Sequence, residues 1–89
     1  MKPVKTHKFR LGKYIIWQCR VDGWADEPSD QNKLYMIIPP ESTFNSLWTA
    51  VHESLHAEGI PAKYLDGEYD CSYNVARLLW RLGYRKGTV

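Results

Sequence analysis

The sequence contains few cysteines and no strong excess of charge of either sign. Cys19 and Cys71 are the two cysteines among 89 residues, and they lie far apart without a repeated spacing. Small domains that depend on disulfides have many more cysteines, so nothing here indicates an oxidising compartment. The formal net charge is only +2, from 12 basic and 10 acidic residues, which does not favour nucleic acid as the main partner. We therefore expect a cytoplasmic location and no nucleic-acid partner.

Long apolar runs, internal repeats and low-complexity linkers are also missing from the sequence. A membrane-spanning helix needs about 18 or more apolar residues, and the basic N-terminal stretch has no apolar core of signal-peptide length. We expect no membrane partner and one domain over residues 1–89, whose 44% hydrophobic content suffices for a single core. A domain this small often needs an additional source of stability, and a bound metal is one such source.

The first half of the chain has the two-residue periodicity of β-strands. Residues 14–21 alternate between two faces, and the β-prone run of residues 34–38 follows a segment, residues 22–33, that is rich in loop-forming residues. We expect these two strands to pair antiparallel. A further edge strand over residues 7–11, ending at Gly12, would give a small antiparallel sheet of two or three strands.

The second half has the periodicity of helices. A first helix, over about residues 43–58, is predicted to begin at a cap formed by Ser42 or Thr43 and to end before Gly59 and Pro61. A second helix, over about residues 67–83, is predicted to begin at Asp66 and to end at Gly83. The fold class predicted is α+β, with the sheet packed on two helices. The apolar stripes are Phe44, Leu47, Trp48, Val51 and Leu55 on the first helix and Cys71, Val75, Leu78, Leu79 and Leu82 on the second.

Residues 52–56 read His-Glu-Ser-Leu-His, within the first predicted helix. At about 100° per residue, His52 and His56 lie one turn apart on the same face, at the border of the apolar stripe, so both imidazoles can bind one ion. Glu53 lies beside them and can accept a proton from a metal-bound water, which is why the His-Glu-x-x-His pattern is typical of zinc proteases. The pattern predicts zinc as the cofactor and Glu53 as the catalytic base.

A catalytic zinc site usually has a third protein ligand. We predict Glu68, because seven residues separate it from Val75, which places it on the second helix's face towards the first. Asp70 and Cys71 are alternatives: Asp70 falls on a polar face and is also typical of a charge at a helix N-terminus, while cysteine is commonly a small buried residue. His7 is a weaker candidate.

Two segments resemble those of small zincin-like proteins encoded by bacteriophages and prophages. Residues 47–57 are similar to the family pattern Leu-x-x-x-x-His-Glu-x-x-His-Ala, and residues 76–85 are similar to its closing Ala-Arg-Leu-Leu-Trp-Arg-Leu-Gly-Tyr-Arg. The resemblance implies a minimal zincin-like fold and a zinc peptidase site at His52, Glu53 and His56. The family usually has a run of acidic residues between these segments, whereas this chain has Asp66 and Glu68.

The function expected is that of a zinc-dependent metallopeptidase of phage type, with a peptide or protein as substrate in the host cytoplasm. The alternative is a non-catalytic phage protein that binds or inhibits a host protein with the same scaffold, with zinc structural or absent. The sequence predicts neither the substrate nor the oligomeric state.

Overall fold

The structure, a computed structural model, describes residues 3–18, 24–25, 34–38 and 42–85. It confirms the α+β class. The first helix, predicted over about residues 43–58, spans Phe44–Ala57. In chain order the elements are strands β1 (Pro3–Phe9), β2 (Gly12–Gln18), β3 (Trp24–Ala25) and β4 (Leu34–Ile38), helix α1 (Phe44–Ala57), a 3-10 helix (Ala62–Tyr64) and helix α2 (Cys71–Arg81).

The described strands form one mixed sheet in the order β1-β2-β4-β3. β1 and β2 pair antiparallel, as do β3 and β4, but β2 and β4 run parallel. The predicted antiparallel pairing of β2 with β4 is therefore wrong. The connection between Gln18 and Leu34 exceeds the roughly dozen residues that a parallel crossover needs, so the chain can return to the same end of the sheet.

Two of the predicted strand boundaries also differ from the structure. The edge strand predicted over residues 7–11 begins earlier, at Pro3, and Gly12 is the first residue of β2 rather than the end of β1. The segment predicted as a loop, residues 22–33, contains β3. The remainder of that segment lies outside the described residues, as do residues 19–21 of the strand predicted over residues 14–21.

The main core lies where the central strands meet α1. Tyr14 on β2, Met36 on β4 and Ala57 at the end of α1 are at most 1% exposed. Half-buried apolar side chains pack around them, namely Phe9, Ile16, Leu34 and Ile38. Full burial of a large side chain contributes about 1.5–3 kcal/mol, so these contacts fix the C-terminal half of α1 on the sheet.

Helix α1 is held at both ends. Of the two predicted caps, Thr43 is the one used: its hydroxyl accepts a hydrogen bond from the Ser46 amide at 3.1 Å. At the other end, the turn between β1 and β2 reaches the last residues of the helix. The Leu11 amide donates to the Ala57 carbonyl at 3.0 Å, and the Arg10 amide donates to the Glu58 carboxylate at 2.7 Å. The Leu11 bond satisfies a backbone carbonyl that has no partner within the helix, and the Arg10 bond adds a side-chain contact beside it.

Helix α2 begins at Cys71, with Asp70 as its N-cap, and not at the predicted Asp66. Gly67 would lie within the first turn of the predicted helix, where glycine costs up to about 1 kcal/mol relative to alanine. The predicted inward stripe is also wrong in part, because Ser72 and Ala76 are the buried residues of α2, whereas Val75, Leu78 and Leu82 are 48–65% exposed. Neither α1 nor α2, the α-helices of the described residues, has the length and hydropathy needed to cross a bilayer.

Candidate metal site

The imidazoles of His52 and His56 lie side by side on α1. Their ring centroids are 4.8 Å apart, and the two Nε2 atoms face each other at 3.2 Å. Both side chains are about one fifth exposed. The helical spacing of the motif therefore brings two imidazole nitrogens together at the edge of the core, in the relative position that the sequence predicts.

Asp66 completes a triangle with the two histidines. Its Oδ1 atom lies 3.1 Å from His52 Nε2 and 3.3 Å from His56 Nε2. The 3-10 helix before it turns the chain back towards α1, and the Asp66 amide donates to the Ala62 carbonyl at 2.7 Å. The neighbouring Leu65 is 2% exposed and anchors this turn.

The spacing of these three atoms is close to that of a tetrahedral zinc site. Zinc–nitrogen and zinc–oxygen bonds of about 2.0–2.1 Å imply ligand atoms about 3.3–3.4 Å apart at tetrahedral angles. The three observed separations, from 3.1 to 3.3 Å, approach that value. Two imidazoles and a carboxylate are also a ligand set that zinc accepts. The residues present therefore fit a zinc ion.

Asp70 orients His52 from the side away from this triangle. Its Oδ2 atom is 2.9 Å from His52 Nδ1 and accepts a second hydrogen bond, also 2.9 Å long, from Trp48 Nε1. Its Oδ1 atom accepts from the Ser72 amide at 2.8 Å and from the Ser72 hydroxyl. Burial alone would raise the pKa of Asp70, but the hydrogen bonds from Ser72, His52 and Trp48 outweigh it and lower that pKa. Asp70 is thus held as an acceptor.

This arrangement fixes the tautomer of neutral His52. Because an ionised carboxylate only accepts hydrogen bonds, His52 Nδ1 must be the donor to Asp70, and the lone pair of the neutral ring is then on Nε2. That lone pair faces Asp66 Oδ1 at 3.1 Å. Two acceptors at this distance are stabilised by a positive or hydrogen-bond-donating group that faces both, and a metal ion bound between them or the Nε2–H of His56 would supply it. Histidines that bind metals commonly have such a carboxylate on the opposite ring nitrogen.

Glu53 lies behind the histidines and is 6% exposed. Its Oε1 atom is 4.0 Å from His52 Nε2. Within the described part of the chain, Oε2 is a buried oxygen without a hydrogen-bond partner. Burial raises the pKa of Glu53; the nearby Asp66 charge also raises it, while His52 and His56 lower it. A buried, unpaired carboxylate is costly for folding, which is typical of a functional group.

A cleft of about 360 Å³ opens in front of the site. The lining includes His52, Glu53 and Asp66 from the site, with Asp70 and the α1 side chains Trp48 and Thr49 beside them. A molecule in this cleft would therefore contact His52 and Asp66, two members of the triangle, together with Glu53.

The structure brings together His52, Glu53 and His56, and the carboxylate that lies beside the two histidines is that of Asp66. Glu68 is exposed and lies on the loop before α2, so its predicted position on a helix face is wrong. Asp70, predicted on a solvent-facing surface, is instead the half-buried partner of His52. Cys71 is a half-buried free thiol, and His7 is exposed on β1 with its ring against Phe9.

Asp66 was missed because sequence periodicity assigned it to a helix cap. The signal that points away from this role is the following Gly67, which disfavours a helix beginning there. Asp70 stands directly before Cys71 and two residues before Ser72, whose amide it caps. Assigning the cap to Asp70 would have left Asp66 free for the site.

Asp70 is expected to stabilise the metal-free protein more than an ordinary helix cap does. Thr43→Ala removes only a cap and should cost about 1 kcal/mol in the free energy of unfolding. Asp70→Ala also removes the closest acceptor of the Trp48 and His52 donors, which keep only longer contacts with the Ser72 hydroxyl at 3.2 and 3.4 Å, so its cost should rise to about 2–3 kcal/mol. Urea denaturation in the presence of EDTA measures both changes.

The contribution of Asp70 also has an expected pH dependence. Because the folded-state pKa lies below the ordinary value of 3.8, the stabilisation is present above that value and is lost as the pH falls through the folded-state pKa. If Asp70→Ala and Thr43→Ala lowered the free energy of unfolding equally, the hydrogen bonds of Asp70 with Trp48 and His52 would add no stability beyond that of a helix cap.

Comparison with known proteins gives no match for this chain: no protein-family model, no curated protein and no solved structure matches it. The resemblance to small phage zincin-like proteins therefore stays a prediction.

Proposed function

We propose that this protein binds one zinc ion through His52, His56 and Asp66 and is a zinc-dependent peptidase. The observation that carries the proposal is the mutual spacing of the three ligand atoms, 3.1 to 3.3 Å, on and beside a His-Glu-x-x-His helix. Three protein ligands leave one tetrahedral position for water or substrate, which is the arrangement of catalytic rather than structural zinc sites.

Glu53 is proposed as the general base. Zinc, when bound, supplies polarisation of a substrate carbonyl and lowers the pKa of the attacking water. Glu53 Oε1 lies 4.0 Å from His52 Nε2, so this carboxylate can accept the proton of that water and pass it to the leaving amine. Its raised pKa strengthens it as a base once it is ionised. Asp70 keeps the His52 lone pair directed at the ligand triangle.

The substrate class is proposed from the motif and the size of the cleft. The His-Glu-x-x-His pattern is typical of peptide hydrolysis. A volume of about 360 Å³ lies at the lower end of the range for ligand pockets, which favours a short segment of peptide. Trp48 and Thr49 are the α1 side chains placed to contact it. We also propose that the protein acts in the cytoplasm of a phage-infected host; the resemblance to phage zincin-like proteins supports the host, and the Cys71 thiol, free within the described residues, is compatible with a reducing compartment.

Zinc analysis of protein purified without a metal-affinity tag tests the metal site. We expect one zinc ion per chain, reduced to background in His52→Ala, because two remaining ligands do not retain zinc against a chelator. His7→Ala, which removes an exposed histidine on β1, is the matched control and should retain the ion. A wild-type protein without stoichiometric metal would contradict the proposed site.

A non-catalytic binding protein with a structural zinc is the second candidate. The exposed apolar side chains of α2 favour it, because they provide a surface for a protein partner that is separate from the cleft. Only the peptidase would cleave peptides repeatedly; the binding protein would not. Stoichiometric zinc together with no cleavage in a diverse peptide pool, monitored by mass spectrometry, would favour this candidate over the peptidase.

A further inference from the structure

Helix α2 has an exposed apolar ridge along the side that does not pack on α1. Val75 is 48% exposed, Leu78 is 58% exposed and Leu82 is 65% exposed. The spacing of three and four residues aligns them on one side of the helix. Single exposed apolar side chains are ordinary on protein surfaces, but a contiguous group commonly marks an interaction site.

Basic residues flank this ridge on one side. At about 100° per residue, Arg81 lies about 60° from Leu78, and Arg77 lies next to Arg81. A shallow groove of about 370 Å³ runs between them and is lined by Asn74, Arg77, Leu78, Arg81 and Leu82. Both arginines are exposed, and within the described residues neither forms an ion pair. Their charges are therefore available to a partner.

The sequence of this region has charge of one sign only. No aspartate or glutamate occurs after Asp70, whereas Arg77, Arg81, Arg85 and Lys86 all follow it. Two copies of the chain that met through this ridge would bring the arginines of one against those of the other, and like charges placed together oppose association. Charge repulsion thus disfavours binding of a second copy of this chain at this ridge, whereas a partner with acidic side chains has the complementary charge.

We infer that the ridge and its arginines are a docking site for an acidic amphipathic helix of a protein partner. Apolar residues at three- and four-residue steps form the seam of a helix pair, in which the partner supplies apolar side chains at the same steps. Glutamate or aspartate beside the partner's seam would face Arg77 and Arg81. Helices of this kind bind through a few apolar anchors in a groove. The site does not involve the zinc ligands, so it stands independently of the proposed peptidase activity.

Fluorescence anisotropy with a designed peptide tests the inference on the whole protein. The probe is a labelled helical peptide of about three heptads, with leucine at the seam positions and glutamate beside them. The comparison peptide has lysine in place of each glutamate. We expect the glutamate peptide to bind at least about tenfold more tightly at low salt, with the difference reduced by added salt. Equal binding of the two peptides would overturn the proposed partner chemistry.

Variants of the ridge locate the site. Leu78→Asp and Arg81→Glu are each expected to weaken binding of the glutamate peptide by about tenfold. Tyr64→Asp changes an exposed aromatic residue elsewhere, and Lys8→Glu makes the same charge reversal on β1; both variants should bind the peptide as the wild type does. Circular dichroism establishes that each variant is folded, and Leu82→Asp replaces Leu78→Asp if that variant is not.

Two results would overturn the inference. One is unchanged peptide affinity in the folded ridge variants. The other is sedimentation of the wild-type chain as a dimer that Leu78→Asp dissociates, which would assign the ridge to a second copy of this chain.

Discussion

Asp66→Ala is expected to lower the affinity for zinc by at least about a hundredfold, whereas Glu68→Ala should change it by less than about twofold. Loss of a residue that only supports a ligand already costs about 10–100-fold, so loss of a ligand itself should cost more. Asp66 Oδ1 lies within 3.3 Å of both histidine nitrogens. Glu68 is exposed on the same loop, two residues away. Competition with a chromophoric chelator measures both affinities.

This pair of variants separates coordination from general electrostatics. Each removes one negative charge from the same short loop, so a loss through net charge alone would appear in both. If Glu68→Ala lowered the zinc affinity strongly and Asp66→Ala did not, the third ligand would be Glu68, as predicted from the sequence. Asp66 is on an exposed bend, so Asp66→Ala should leave the metal-free protein folded. Urea denaturation with EDTA checks that a loss of zinc affinity does not arise from unfolding.

Glu53→Gln is expected to reduce peptide hydrolysis by about 10²–10⁴-fold while the protein still binds zinc. Glutamine has nearly the same shape but cannot accept a proton from water at neutral pH. The two histidines and Asp66 are unchanged, so the metal content should stay at one ion per chain. Glu68→Gln, the same substitution on the exposed loop before α2, is the matched control and should hydrolyse peptides at the wild-type rate.

The same variant should be more resistant to urea than the wild type. Glu53 is 6% exposed with an oxygen that has no partner in the described structure, and burying a carboxylate without a partner costs free energy. A neutral amide reduces that cost. Greater stability with lower activity is the pattern expected of a residue retained for chemistry. Undiminished hydrolysis would exclude Glu53 as the base, and loss of zinc would make it a ligand instead.

The elements with strong local periodicity could be predicted from the sequence. The α1 stripe, its cap and its terminating glycine indicate one helix, and the position of His52 relative to His56 follows from helical geometry alone. The parallel pairing of β2 with β4 could not be predicted this way, because the direction of a strand depends on the path of a long connection rather than on its own side chains. The same side chains in β2 and β4 are compatible with either an antiparallel or a parallel pairing.

Some residues of the site could likewise be predicted from the sequence, and others could not. His52 and His56 belong to one regular helix, so their separation was predictable. Asp66 reaches them through a 3-10 turn anchored by Leu65, and no periodic pattern marks such a turn. The role of Asp70 depends on tertiary contacts with Trp48 and His52, 22 and 18 residues earlier in the chain. Its capping of α2 is local, but its support of the metal site is not.

The bonds between the β1–β2 turn and the end of α1 have a consequence for dissection of this protein. Every proposed ligand, the base and their supporting carboxylate lie within residues 42–85, so a synthetic fragment of this length would contain the whole metal-binding set. In such a fragment the Ala57 carbonyl would lose its bond from Leu11. The final helical turn, which carries His56, would then fray as free helix ends do. Cooperative folding with the N-terminal hairpin thus maintains the geometry of a centre to which the hairpin contributes no ligand.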